Sequence, residues 1–131
     1  MTPHVRAIRG ATTLETDTAE EIDTRVQELV GAMLERNSVD AEALISILFT
    51  ATPDVRSAFP ATSARRMGLD GVPVMGAQEL DVEGGMDLCV RVMMHVETEL
   101  PRERIEHVYL HRAASLQATG GRAAGADAAR S

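Results

Sequence analysis

The sequence predicts one domain that mixes strands and helices in the order β-α-β-α-β-β-β, an α/β or α+β arrangement. Three observations carry that reading. From Cys89 to Glu97 the side chains alternate, with Val90, Val92, Met94 and Val96 on one face and Cys89, Arg91, Met93, His95 and Glu97 on the other, the period of a half-buried strand. Ile22, Val26, Leu29, Val30, Met33 and Leu34 recur at helical spacing and give an amphipathic helix with one buried stripe. Leu44-Ile45-Ser46-Ile47-Leu48-Phe49 is a short apolar run with β-branched residues, the signature of a buried strand.

The remaining elements follow in chain order. Val5-Arg6-Ala7-Ile8 alternates and reads as a first strand that Gly10 interrupts, with Arg9 at its end. Thr18-Ala19-Glu20-Glu21 fits a capping box, in which Thr18 and Glu21 satisfy each other's backbone N–H groups, and Asn37-Ser38 close the helix. Thr52-Pro53-Asp54 signals a turn, and a short helix begins at Pro60 and stops at Gly68. Val72-Pro73-Val74 is too short for a central strand and suits an edge or barrel-rim strand, because proline cannot donate to a ladder. Gly84-Gly85 marks a tight backbone position, and His107-Val108-Tyr109-Leu110 repeats the strand alternation with His107 and Tyr109 on one face. Past Gln117 the composition collapses into Gly, Ala and Arg, so a domain over residues 1–118 and a disordered tail over 119–131 are expected.

A chain of 131 residues is one domain's worth, and 44% hydrophobic content is globular. Aromatic content is only 2%, so the core must be aliphatic, with seven Met as adaptable filler. No apolar run approaches the roughly 20 residues of a membrane helix, and the N-terminus lacks a secretory pattern. Cys89 is the single cysteine, so no internal disulfide forms. These features predict a cytoplasmic protein without a membrane partner. A net charge of −7 argues against nucleic acid. All thirteen basic residues are Arg, each a planar fork suited to carboxylates or phosphates.

Most motifs of chemistry are missing. His107 and His111 stand four apart but on a strand pattern with no third ligand, so no metal is predicted. Gly68, Gly71 and Gly76 form no phosphate loop. Cys89 has no paired His that would make it a nucleophile. Three features stand apart: Arg9 before the open stretch Gly10-Ala11-Thr12-Thr13, Arg91 among apolar residues where a charge needs a partner, and Glu79 beside a Pro-Val-Met-Gly loop. On physical grounds alone these fit structural ion pairs as well as an anion site.

Taken as ordered blocks, the sequence resembles the AroH class of chorismate mutases. The blocks are Arg6-Ala7-Ile8-Arg9-Gly10-Ala11-Thr12-Thr13, Ala51-Thr52-Pro53-Asp54, Phe59-Pro60-Ala61, Val72-Pro73-Val74, Gln78-Glu79-Leu80-Asp81-Val82, Gly84-Gly85, Cys89-Val90-Arg91-Val92-Met93-Met94 and His107-Val108-Tyr109-Leu110. They cover roughly Val5 to Leu116. The resemblance implies an α+β fold, a ferredoxin-like mixed sheet with helices on one face, assembling as a trimeric pseudo-α/β barrel with active sites at the subunit interfaces. The implied reaction is the Claisen rearrangement of chorismate to prephenate in aromatic amino acid biosynthesis, on the shikimate route to phenylalanine and tyrosine. It needs no cofactor and no metal.

The resemblance also implies roles. Arg91 would be the catalytic donor to the breaking ether oxygen, and Glu79 would accept the ring hydroxyl. Arg9 and Tyr109 would bind the side-chain carboxylate. Phe59, Ala61 and Arg65 would come from a neighbouring subunit, and Val74, Met75, Gly76 and Leu116 would line the pocket. Gly76 stands where the family usually has Cys, Thr62 where it often has Lys, and Gln117 where it often has Arg. Losing two peripheral cations implies a raised KM with a largely kept kcat. Two alternatives are a trimeric enamine or imine deaminase of related fold and a non-catalytic module that binds small carboxylates.

Overall fold

A computed structural model describes residues 2–116. The first strand, β1 (His4–Thr13), leads into helix α1 (Ala19–Arg36), then β2 (Leu44–Ala51), helix α2 (Pro60–Arg66), β3 (Val74–Gln78), β4 (Cys89–Thr98) and β5 (Val108–Tyr109), with single 3-10 turns at Ala41–Ala43, Arg102–Arg104 and His111–Ala113. The five strands form one mixed sheet in the order β3-β2-β4-β1-β5. Strand β4 runs antiparallel to both β1 and β2, while β3 runs parallel to β2 and β5 parallel to β1. β1, α1 and β2 therefore make a crossover whose two parallel strands are split by β4. The expected tail over residues 119–131 lies outside the described residues.

Both helices cover one face of the sheet. Ile22, Val26, Leu29, Val30 and Met33 of α1 are buried against Ile8 of β1, Ile47 and Phe49 of β2, and Val90, Val92, Met94 and Val96 of β4, and Ala64 of α2 joins them. This is the face that the alternation in β4 assigns to the core. On the other face the β4 side chains Arg91, Met93 and His95 are only partly covered, and Val5, Leu48 and Met75 are exposed. A single chain thus leaves one sheet face with apolar side chains uncovered.

Several expected boundaries move. Gly10 does not end β1; the ladder with β4 runs unbroken from His4↔Thr98 to Thr13↔Cys89. Gly10 faces α1, and a Cβ there would sit 2.5 Å from Met33 Sδ and 3.1 Å from Leu29 Cδ1. The glycine lets the helix approach the strand rather than breaking it. Gly10→Ala should cost about 1–3 kcal/mol by overpacking, and pairing it with Met33→Ala should recover part of that loss in denaturant unfolding; additive losses would contradict the contact.

The cap of α1 is only half the expected box. Glu21 N–H donates to Thr18 Oγ1 at 3.1 Å, but the Glu21 carboxylate accepts the N–H of Glu15, and Thr18 N–H goes to the Thr16 carbonyl. The third strand begins at Val74 and not Val72, although the Pro73 carbonyl already accepts the Ile47 N–H at 3.0 Å. It is the edge strand that proline predicts. Strand β5 is two residues long, so His107 and Leu110 flank it rather than belonging to it.

Candidate active site

The sheet register assembles the candidate site on the face away from the helices. Thr50 of β2, Arg91 of β4, Ala11 of β1 and Tyr109 of β5 form one lateral row, through the pairs Thr50↔Arg91, Ala11↔Arg91 and Ala11↔Tyr109. The Ala11 side chain is short, so Arg91 and Tyr109 stand on either side of a low point, roughly 10 Å apart by strand spacing. Glu79 follows β3, and its N–H bonds to the Ala51 carbonyl at 2.8 Å, which extends the β2–β3 pairing by one residue and brings the carboxylate to Thr50.

Arg91 and Glu79 meet. Arg91 Nε lies 3.4 Å from Glu79 Oε2, and Thr50 Oγ1 donates to Glu79 Oε1 at 2.7 Å. Both charged side chains are about three-quarters covered, at 22% and 26% exposure, so the pair is screened less than a surface pair yet stays open to a ligand. A turn network fixes the strands that carry it. Thr52 N–H donates to the Cys89 carbonyl, Thr52 Oγ1 accepts the Cys89 N–H, and the Asp54 carboxylate accepts the Leu88 N–H and the Thr52 hydroxyl. Leu88 has the left-handed φ of 46°, which these bonds hold in place. The turn legible at Thr52-Pro53-Asp54 thereby ties the exit of β2 to the entry of β4, two residues from Arg91.

Arg9 is in mid-strand, not at the end of β1. It pairs with Met93, one row along from Arg91, a diagonal of roughly 7–8 Å. It lines a second hollow of about 360 Å³ together with Met93, His95, Arg102 and His107. Its backbone N–H donates to His107 Nδ1 at 2.9 Å. Leu116 and Tyr109 pack on Ala11, Cys89 and Ala113, at the β5 end of the row.

Phe59, Ala61, Arg65, Val74, Met75 and Gly76 are brought together elsewhere. They line an open groove of about 820 Å³ along the β3 edge, with Phe59 79% exposed. Val74 and Gly76 pair with the core residues Ile47 and Phe49 and so face the helix side, whereas Met75 pairs with Leu48 on the open side. Arg91 and Tyr109 do not line this groove. In one chain Arg91, Glu79, Arg9 and Tyr109 therefore lie along the open sheet face, and Phe59, Ala61, Arg65, Val74, Met75 and Gly76 line the edge groove, with Thr50 lining the groove and bonding Glu79.

Two residues of the site escaped the sequence reading. Thr50 lies one place past the apolar run Leu44–Phe49, and only the continued alternation Leu48, Thr50 pointed to it. Ala11 carried no chemical signal, since its contribution is its small size. Cys89 is 1% exposed, and burial pushes its thiol up to about 11, which makes it a poor nucleophile. His107 and His111 do not converge: His111 Nε2 lies 2.9 Å from Glu28 Oε1. Among the described residues no three His, Cys, Asp or Glu side chains gather as a metal site, and no helix is long and apolar enough to cross a membrane.

Comparison with known proteins gives a concordant set. The family model for chorismate mutase type I matches residues 5–119. Chorismate mutase AroH of Bacillus subtilis (strain 168) is 44% identical over 114 residues, which is 86% of this chain and 90% of that protein. Chorismate mutase AroH of Thermus thermophilus is 43% identical over 114 residues, 86% of this chain and 93% of that one. Among solved structures, a chorismate mutase from Clostridium thermocellum superposes with a TM-score of 0.82 at 46% identity, covering 83% of this chain and 97% of that chain.

Proposed function

The chain belongs to the chorismate mutase type I family, and from that premise we propose that Arg91 and Glu79 are the catalytic pair with which it converts chorismate to prephenate. The activity is that of a chorismate mutase, an isomerase of aromatic amino acid biosynthesis. The observation that carries the residue assignment is the contact of Arg91 Nε with Glu79 Oε2 on an uncovered sheet face.

Chorismate is a flexible dianion that reacts through a chair, so holding that conformer removes unproductive freedom. In the rearrangement the C–O bond breaks ahead of C–C bond formation. Negative charge gathers on the ether oxygen and positive character on the ring. A guanidinium fixed at that oxygen favours the transition state over the ground state. The Glu79 carboxylate, oriented by Thr50 and Arg91, accepts the ring hydroxyl and faces the positive ring. Arg9 and Tyr109 take the side-chain carboxylate across the low point at Ala11. No proton is transferred and no covalent intermediate forms.

Phe59, Ala61 and Arg65 complete the site from a second copy in a homotrimer. Two observations support this: Phe59 and Arg65 line a groove that Arg91 does not share, and the sheet face bearing Arg91 is uncovered in one chain. Phe59 packs the pocket wall and Arg65 steers the ring carboxylate, with Ala61 beside them; Val74, Met75 and Gly76 line the pocket, as does Leu116 next to Tyr109. A single buried thiol accords with a cytoplasmic enzyme.

The decisive experiment incubates purified protein with chorismate and follows the loss of its ultraviolet absorbance, alongside a solution mass. Acceleration by a trimer is expected. Absence of acceleration would reduce the chain to a binding module, and an active monomer would contradict the shared site. Thr62 lies in the first turn of α2, beside the groove, where a cation is often found in the family. Thr62→Lys should lower KM about two- to fivefold at low salt, as a surface charge does, with the gain shrinking at high salt; a change in kcat instead would refute the steering role.

A further inference from the structure

We propose that His107 is a positioning residue for substrate binding: its Nδ1 holds the backbone of Arg9, and through it the guanidinium that takes the substrate's side-chain carboxylate. The inference rests on the assignment of Arg9 to that carboxylate. Strand β5 pairs with β1 only at Gly10↔Val108 and Ala11↔Tyr109. The Arg9 N–H therefore lies one step before the ladder, where a strand N–H would lack a partner. The imidazole of His107 supplies the acceptor at 2.9 Å.

An accepting Nδ1 requires the neutral ring with its proton on Nε2. Protonation would turn Nδ1 into a donor, break the bond and set an imidazolium beside the Arg9 guanidinium. The surroundings oppose that change. The hollow that His107 lines presents Arg6 and Arg9 from β1, His95 from β4 and Arg102 from the turn after β4, with no carboxylate in its lining. Partial burial, then the Arg9 charge, lowers the His107 pKa below its ordinary value. The bond is thus complete at neutral pH and is lost as pH falls through the lowered value. The same sign holds for stability: the unfolded chain takes up the proton first, so the contribution is full above about 6.5.

Chorismate itself does not titrate in this range, since carboxylates ionise near pH 4. The expected result is a KM for chorismate that rises on the acid side while kcat holds. His107→Leu should raise KM about 3- to 10-fold at neutral pH, the loss of one hydrogen bond, with kcat within about twofold. His107→Asn, whose amide oxygen can take the place of Nδ1, should keep a low KM and abolish the acid rise. A neutral-pH KM unchanged in the Leu variant would overturn the proposal. So would an acid rise retained in the Asn variant, which would point to His95, or a KM that falls on acidification, which would make His107 a plain cation. If the Leu variant does not fold, the Asn pH profile decides alone. Arg9→Gln separates the premise: if its KM is unchanged, the carboxylate assignment fails whatever His107 does.

Discussion

Arg91→Ala should lower kcat/KM for chorismate by at least the 10²–10³-fold typical of one lost oxyanion donor, about 3–4 kcal/mol, with the loss in kcat rather than KM. The reason is differential: the charge on the ether oxygen exists only as the bond breaks, so its donor contributes little to ground-state binding. The fold should survive. Arg91 lies between Ala11 and Thr50 in a continuous ladder, and the Glu79 carboxylate it would leave is about a quarter exposed to water. Glu79 keeps its bond from Thr50. Arg91→Lys should recover only part of the rate, because an ammonium cannot hold Glu79 through one nitrogen while donating through a planar fork. Absorbance kinetics with a circular dichroism control checks this. An Ala variant within tenfold of wild-type kcat would remove Arg91 from the chemistry.

Phe49→Ala should destabilise the chain by about 3–5 kcal/mol. Phe49 is 1% exposed and is the largest fully buried side chain. The protein has two Phe, one Tyr and no Trp, so the core around it is otherwise aliphatic. Its lateral neighbours on the core face are Val92 and Gly76. A β-branched valine and a glycine can contribute little to filling the void, so most of the cavity should persist. Thr50 follows Phe49 directly, which ties the loss of packing to the contact that orients Glu79. Denaturant unfolding at fixed protein concentration is the measurement, since assembly shifts apparent stability. A loss under about 1 kcal/mol would show that the core collapses around the site.

Where a period or a fixed-geometry residue governed the chain, the sequence was legible. Alternation in β4 put Arg91 on the face opposite the core before any coordinate, and the periodic stripe of α1 named its buried residues. Proline at 73 marked the edge strand. What escaped depended on partners distant in sequence. Gly10 reads locally as a breaker, and only the approach of Met33 explains its place inside β1. Glu21 caps a helix as predicted with its N–H, but its carboxylate goes to Glu15, a choice set by how the chain enters α1. Arg9 fell in mid-strand because pairing with β4 carried β1 on to Thr13. The meeting of Arg91 with Glu79 needed the register of three strands, which no single segment encodes. That Phe59, Ala61 and Arg65 stand apart from Arg91 was implied by family resemblance alone, never by periodicity.

The covered thiol of Cys89 has a practical consequence. A maleimide or iodoacetamide probe needs an accessible thiolate, and a group 1% exposed with its pKa raised to about 11 offers neither. The wild-type chain is therefore a silent background for labelling. A cysteine introduced at Leu80 or Val82, which are 82% and 64% exposed on the loop after Glu79, will be the one that takes a fluorophore or spin label. A label there reports on the loop after Glu79 by fluorescence or electron resonance without first removing a native residue.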